Sequence, residues 1–158
     1  MHHLKCDPNY TPPVFTVDDA IAIAVHAHRG QFDKGRAWLP YVTHPLRVMS
    51  YFSDPTEQMV AVLHDTLEDS DLGVTTLARH DTPEVVIDAV VALTHLKGES
   101  NVDYWERVAA NPLARVVKRA DIADNLDPDR LALLAPDHRE RLRRKYAEAL
   151  AAIGYAEA

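Results

Sequence analysis

The segment His64-Asp65-Thr66-Leu67-Glu68-Asp69 gathers one imidazole and three carboxylates into a short stretch of chain. Read as a helix, it sets His64 four residues from Glu68, Asp65 three from Glu68, and Asp65 four from Asp69, so the four groups share one face. Carboxylates this close repel one another and are costly to take out of water, and a bound cation relieves both penalties. Imidazole with carboxylate suits Mn, Fe, Zn or Co better than Ca, and an adjacent His-Asp pair serves one divalent ion if the helix end points at it. Taken alone, a His-Asp dipeptide is more often a solvated polar face. Two other segments change that reading.

Upstream, His44-Pro45 stands at a loop-to-helix junction. Downstream, the run from Val116 to Leu126 sets Asp121 and Asn125 four apart on one helical face behind apolar residues. The same run also reads as a helix end, with Asn125 near the C-cap and Pro128 stopping the helix. The two readings are compatible.

The elements that must position these groups are helical. Three prolines among residues 1–15 (Pro8, Pro12, Pro13) suggest an extended lead-in, and residues 16–158 read as a single domain. Thr16 and Asp19 form a capping-box start for a helix whose stripe holds Ala20, Ile21, Ala24, Val25 and His28 and which Gly30 ends. A polar loop over about 30–43 comes next, long enough to be a working loop. Further helices are expected over about 45–52, from Pro55 through the His64–Asp69 face, from Val74 to His80, from Pro83 at N1 to about Leu93, over 101–110, over 112–125 and over about 137–153.

Composition narrows the function. The 158 residues carry a formal net charge of −7 with acids and bases intermixed, so no basic stripe favours long DNA or RNA or an anionic membrane. A local cluster of Lys, Arg and metal still suits a small anion. Cys6 is the lone cysteine, which leaves no intrachain disulfide and fits a reducing, cytoplasmic setting. No run approaches the ~20 apolar residues of a membrane span, and the start Met1-His2-His3-Leu4-Lys5 lacks a signal-peptide core.

The ordered combination of His-Pro, then His-Asp with Glu-Asp after it, then Lys-x-Ala-Asp-x-x-x-Asn, resembles the RelA/SpoT-type hydrolase domain of the HD superfamily over about residues 17–150. It particularly resembles the small stand-alone members that lack a synthetase. The resemblance implies an all-α HD-domain bundle in which His44, His64, Asp65 and Asp121 hold a divalent metal, typically manganese. It gives Glu68 and Asp69 the attacking water, and it puts Lys34, Asn125 and Tyr146 beside a small nucleotide. It implies removal of the 3′-pyrophosphate from ppGpp and pppGpp. Tyr146 reads equally as a helix-packing aromatic.

The pattern departs at one loop. Where the family reads Gly-Gln-x-Arg-Lys, this chain reads Gly30-Gln31-Phe32-Asp33-Lys34, and the spacing from Gln31 to His44 is two residues longer. An acid in place of arginine removes a guanidinium that holds guanine and adds charge repulsive to phosphate. Arg29, Arg36 or Trp38 are the residues available to compensate. The alternatives are therefore an HD phosphohydrolase acting on another nucleotide or dinucleotide phosphate, and a non-catalytic nucleotide-binding module.

Overall fold

The computed structural model describes residues 14–155. Most of the expected lead-in, with His2, His3 and Cys6, lies outside that range. Nine helices and one hairpin occur among the described residues: α1 Val17–Ala27, β1 Phe32–Asp33, β2 Arg36–Pro40, α2 Thr43–Met49, α3 Pro55–Leu63, α4 Val74–Arg79, α5 Glu84–Leu93, α6 Asn101–Ala110, α7 Pro112–Asn125, α8 Pro128–Ala132 and α9 Pro136–Ala152. The fold is all-α apart from that hairpin, as the periodicity and the HD resemblance predict.

The centre is α3. Its run Met59-Val60-Ala61-Val62-Leu63 is buried on every side because α1, α2, α5 and α7 all pack on it. Its start is set by Asp54, whose side chain accepts from the amides of Thr56 and Glu57, and by Pro55 at the first helical position. The Thr16–Asp19 capping box forms as expected, with the amide of Thr16 donating to Asp19 Oδ2 at 2.8 Å. Helix α9 contributes little to the core, burying Ala149. The chain after it is fastened by Tyr155, whose ring centroid lies 4.7 and 4.8 Å from the guanidiniums of Arg115 and Arg119.

Several boundaries differ from expectation for identifiable reasons. The loop over 30–43 contains an antiparallel hairpin, with Phe32 opposite Pro40 and Asp33 opposite Arg36. The helix carrying the His-Asp pair stops at Leu63, and His64–Asp69 is a run of turns closed by Thr66 N–H to Leu63 O and by the Thr66 hydroxyl to the same carbonyl. A side chain that bonds its own local backbone in this way competes with helix continuation. Helix α2 begins at Thr43, ahead of Pro45, and Pro83 is the N-cap of α5, one residue before N1. Helix α8 was not expected. Pro128 stops α7 as anticipated, but it also sits in the first turn of α8, whose N-cap Asp127 accepts from the amide of Arg130. Among the described residues no helix is long and apolar enough to cross a membrane.

Candidate metal centre and its cleft

His44 enters from the first turn of α2 and His64 from the C-cap of α3, and both are 2% exposed. Nδ1 of His44 lies 2.7 Å from Asp124 Oδ2, and Nδ1 of His64 lies 2.7 Å from the carbonyl of Ala61. An ionised carboxylate and a carbonyl only accept, so each Nδ1 carries a proton and each Nε2 is the nitrogen that a metal would meet on displacing its proton. Those two atoms converge with two carboxylates. Nε2 of His44 is 3.1 Å from Asp121 Oδ1 and 3.7 Å from Asp65 Oδ2, while Nε2 of His64 is 3.1 Å from Asp65 Oδ2 and 3.7 Å from Asp121 Oδ1.

This donor set fits a divalent ion. The possible ligand atoms of His44, His64 and Asp121 all lie within 4.8 Å of one another, and His64 Nε2 is a buried atom with no hydrogen-bond partner. Electrostatics points the same way. Burial alone lowers the pKa of both imidazoles, yet Asp121, Asp124 and Asp65 outweigh it and raise His44 and, more strongly, His64. Burial likewise favours neutral Asp65 and Asp121, but His64 holds Asp65 ionised, and Lys118 with the two imidazoles holds Asp121 ionised. The site is built to keep positive charge between its carboxylates.

Neighbouring side chains fix three of the four groups, and the Ala61 carbonyl holds His64. The Tyr41 hydroxyl donates to Asp65 Oδ2 at 2.6 Å, and Lys118 Nζ sits 2.8 Å from Asp121 Oδ2. Asn125 Nδ2 donates to Asp121 Oδ1 at 2.6 Å and to the Asp121 carbonyl at 3.0 Å. Asp124 accepts from Arg47 Nε at 2.8 Å and Nη2 at 2.9 Å in a two-point grip. Such partners orient ligating groups and tune their basicity.

Of the nine residues singled out in the sequence, eight line a cleft of about 320 Å³: Lys34, His44, Asp65, Glu68, Asp69, Asp121, Asn125 and Tyr146. His64 is buried beside it. Glu68 is exposed, and its Oε2 accepts the His95 amide at 2.9 Å. Asp69 is exposed and placed by Gln31, whose Nε2 donates to the Asp69 carbonyl at 2.6 Å; desolvation of its carboxyl, and then nearby Asp65, raise its pKa. Tyr146 faces the cleft from α9, half-buried, with its phenol pushed up to about 12 by burial and then by Asp121.

Sequence reasoning missed several members of the site. Tyr41, Arg130, His138 and Lys145 also line the cleft. Asp124 and Arg47 support it from behind. A signal for Asp124 existed, since it stands three residues after Asp121 on the same helix. Nothing local marked Arg47 or Arg130. Asp33 corrects the expectation that it repels phosphate: it is 1% exposed and faces Arg47 and Arg130. The suggested substitutes do not line the cleft either. Trp38 is 73% exposed on the hairpin, and Arg36 pairs with Asp127 at 3.7 Å.

No family model matches the chain. Individual relatives do. A GTP pyrophosphokinase of Streptomyces coelicolor is 34% identical over 122 residues, which are 70% of this chain and 14% of that protein. A guanosine-3′,5′-bis(diphosphate) 3′-pyrophosphohydrolase of Haemophilus influenzae is 33% identical over 140 residues, 80% of this chain and 20% of that protein. The chain thus spans only a small part of these long bacterial relatives. A mouse (Mus musculus) protein of the same name as the latter is 31% identical over 118 residues, 68% of this chain and 66% of that protein. A solved structure described as a metazoan ortholog of SpoT that hydrolyzes ppGpp superposes with a TM-score of 0.75 at 23% identity, covering 94% of this chain and 91% of that one. That likeness establishes the fold, an HD-type helical bundle. Together with the relatives it places the molecule: the chain belongs to the RelA/SpoT-type family of HD-domain proteins.

Proposed function

We propose that the chain is a divalent-metal-dependent phosphohydrolase of nucleotides, and specifically a guanosine-3′,5′-bis(diphosphate) 3′-pyrophosphohydrolase using manganese in the cytoplasm. The observation that carries this reading is the meeting of His44 Nε2, His64 Nε2 and Asp121 Oδ1, with Asp65 Oδ2 3.1 Å from His64 Nε2, at a cleft that also holds two further carboxylates and several cations. In this reading His44, His64, Asp65 and Asp121 hold the metal. A bound divalent ion supplies hydroxide at neutral pH and offsets charge on a phosphoryl oxygen.

The chain's own residues divide the remaining work. Glu68 and Asp69, on the turns after α3, take the proton of the attacking water. Lys34 and Lys145 bring positive charge to the phosphates, which draws an anion into a protein of net charge −7. Tyr146 offers a protonated phenol and a ring face to the nucleoside, and Asn125 completes the wall next to Asp121. Water attacks the phosphorus attached to the ribose 3′-oxygen, that P–O bond breaks, the 3′-oxygen takes up the proton taken from the water, and ppGpp is split into GDP and pyrophosphate. The relatives that are named for this reaction support the choice of substrate.

The test is release of pyrophosphate from ppGpp with and without Mn²⁺, against phosphate release from a panel of nucleotides. Glu68→Gln should retain metal and lose ~10²–10⁴-fold in kcat, the range for a general base. Turnover confined to nucleotides without a 3′-pyrophosphate would keep the hydrolase and reject the alarmone. Tight nucleotide binding with no turnover of any kind would reject the enzyme.

A further inference from the structure

Asp33 replaces an arginine of the family pattern, yet it does not enter the cleft. Its Oδ1 accepts the Gly35 amide at 2.9 Å and lies 3.5 Å from Arg130 Nη2, while Oδ2 takes no hydrogen bond and faces Arg47 Nη2 at 3.6 Å. One buried carboxylate at the hairpin thus stands between two guanidiniums. Each guanidinium leads onward to the metal centre. Arg47 grips Asp124, which holds His44, and Arg130 Nη1 donates to Asn125 Oδ1 at 2.8 Å.

The two arms depend on Asp33 unequally. Arg47 keeps two hydrogen bonds to Asp124 and one to Thr43 Oγ1, so its place is fixed without Asp33. Among the described residues the Arg130 guanidinium has one hydrogen-bond acceptor, the neutral amide oxygen of Asn125, and its nearest approach to Asp124 is 3.7 Å. Without the Asp33 charge, Arg130 keeps one hydrogen bond, to Asn125, and the longer ion pair with Asp124, and its Nη2 loses the carboxylate it faces.

The amide of Asn125 links Arg130 to Asp121. Arginine only donates, so Arg130 meets Asn125 through its oxygen and favours the sense in which the NH₂ faces Asp121 Oδ1 and the Asp121 carbonyl. In the reverse sense an amide oxygen would face the Asp121 carboxylate and repel it. The role of Asp121 as a ligand rests on the metal site of the proposed function.

We propose that Asp33 is a positioning residue that, through Arg130, fixes the sense of the Asn125 amide and thereby holds Asp121 in its metal-facing orientation. The acid that looks misplaced beside a phosphate site belongs instead to the support of the metal.

The probe is Mn²⁺ alone, titrated calorimetrically into the full chain with no nucleotide present. Asp33→Asn should weaken Mn²⁺ binding ~10-fold, the low end for partners that orient a ligand. Arg130→Gln should produce the same loss, and the double variant no more than either, because both act along one path. In an Asn125→Ala background Asp33→Asn should have no further effect, a dependence that general loosening of the fold does not produce. Should Asp33→Asn fail to fold, Arg130→Gln with and without Asn125→Ala carries the same comparison. Unchanged Mn²⁺ affinity in Asp33→Asn or Arg130→Gln, or losses that simply add, overturn the inference while leaving the metal site standing. A wild-type chain that binds no Mn²⁺ overturns the metal site itself, and the inference with it.

Discussion

Nδ1 of His44 donates to Oδ2 of Asp124 at 2.7 Å, joining residues 80 apart in sequence and leaving His44 Nε2 aimed at Asp65 and Asp121. Asp124 is itself held ionised: burial favours its neutral form, but His44 and Arg47 bring its pKa down to about 2. Asp124→Ala removes the group that sets the tautomer of His44 and leaves Arg47 without its main acceptor. Mn²⁺ affinity should fall ~10–100-fold. Calorimetry on the purified variant measures this directly, and an unchanged affinity would show that Asp124 has no part in orienting His44.

Tyr41→Phe removes only the hydroxyl that donates to Asp65 Oδ2 at 2.6 Å. Burial, and after it the charge of Asp65, raises the pKa of Tyr41, so the phenol stays protonated and remains a donor. The variant should lose ~1.5–3 kcal/mol of interaction with the carboxylate, the range for a hydrogen bond to a charged group. Steady-state kinetics at saturating Mn²⁺ should show a ~10-fold lower kcat, equivalent to ~1.4 kcal/mol, with little change in KM. An altered KM alone would place Tyr41 in nucleotide binding.

Glu99 and Arg107 give a pH signature remote from the cleft. Hydrogen bonds from Arg107, then from the Leu96 amide, hold Glu99 below its ordinary value of 4.5. A carboxyl depressed in the folded state stabilises above its unfolded pKa, and that contribution disappears as pH falls through the folded pKa. Thermal melts should therefore show wild type losing stability relative to Glu99→Gln as the pH is lowered below 4.5, with a constant difference between them near neutrality. A difference independent of pH throughout would remove the ion pair from the explanation.

Leu77 is the buried residue of α4, with 0% exposure, and no side chain of the metal centre comes from that helix. Leu77→Ala should cost ~2–5 kcal/mol of stability through lost transfer free energy and the cavity left behind. Denaturant unfolding checks the size of the loss. Mn²⁺ affinity of the folded fraction should match wild type, which separates core packing from the site.

Much of the scaffold was legible because it rests on local rules. The Thr16–Asp19 box, Pro55 and Pro112 in first turns, and the apolar periodicity of α3, α5 and α7 each specify helix through nearby residues alone. The end of α3 was not legible, because Thr66 bonds the carbonyl of Leu63 and the helical pattern of polar residues continues past it unchanged. The hairpin was hidden for a related reason: β1 spans only Phe32–Asp33, too short for alternation to register.

By itself the sequence singled out nine residues by type and order, and eight of them line the cleft, since the chemistry a side chain can offer is written in its type. Tertiary structure decided their supports and the meaning of Asp33. Residue 33, where the family's Gly-Gln-x-Arg-Lys run has arginine, reads as a misplaced charge until Arg47 and Arg130 arrive from α2 and α8 to face it. A carboxylate's effect depends on which cations lie within a few ångströms of it, and chain order does not fix that distance.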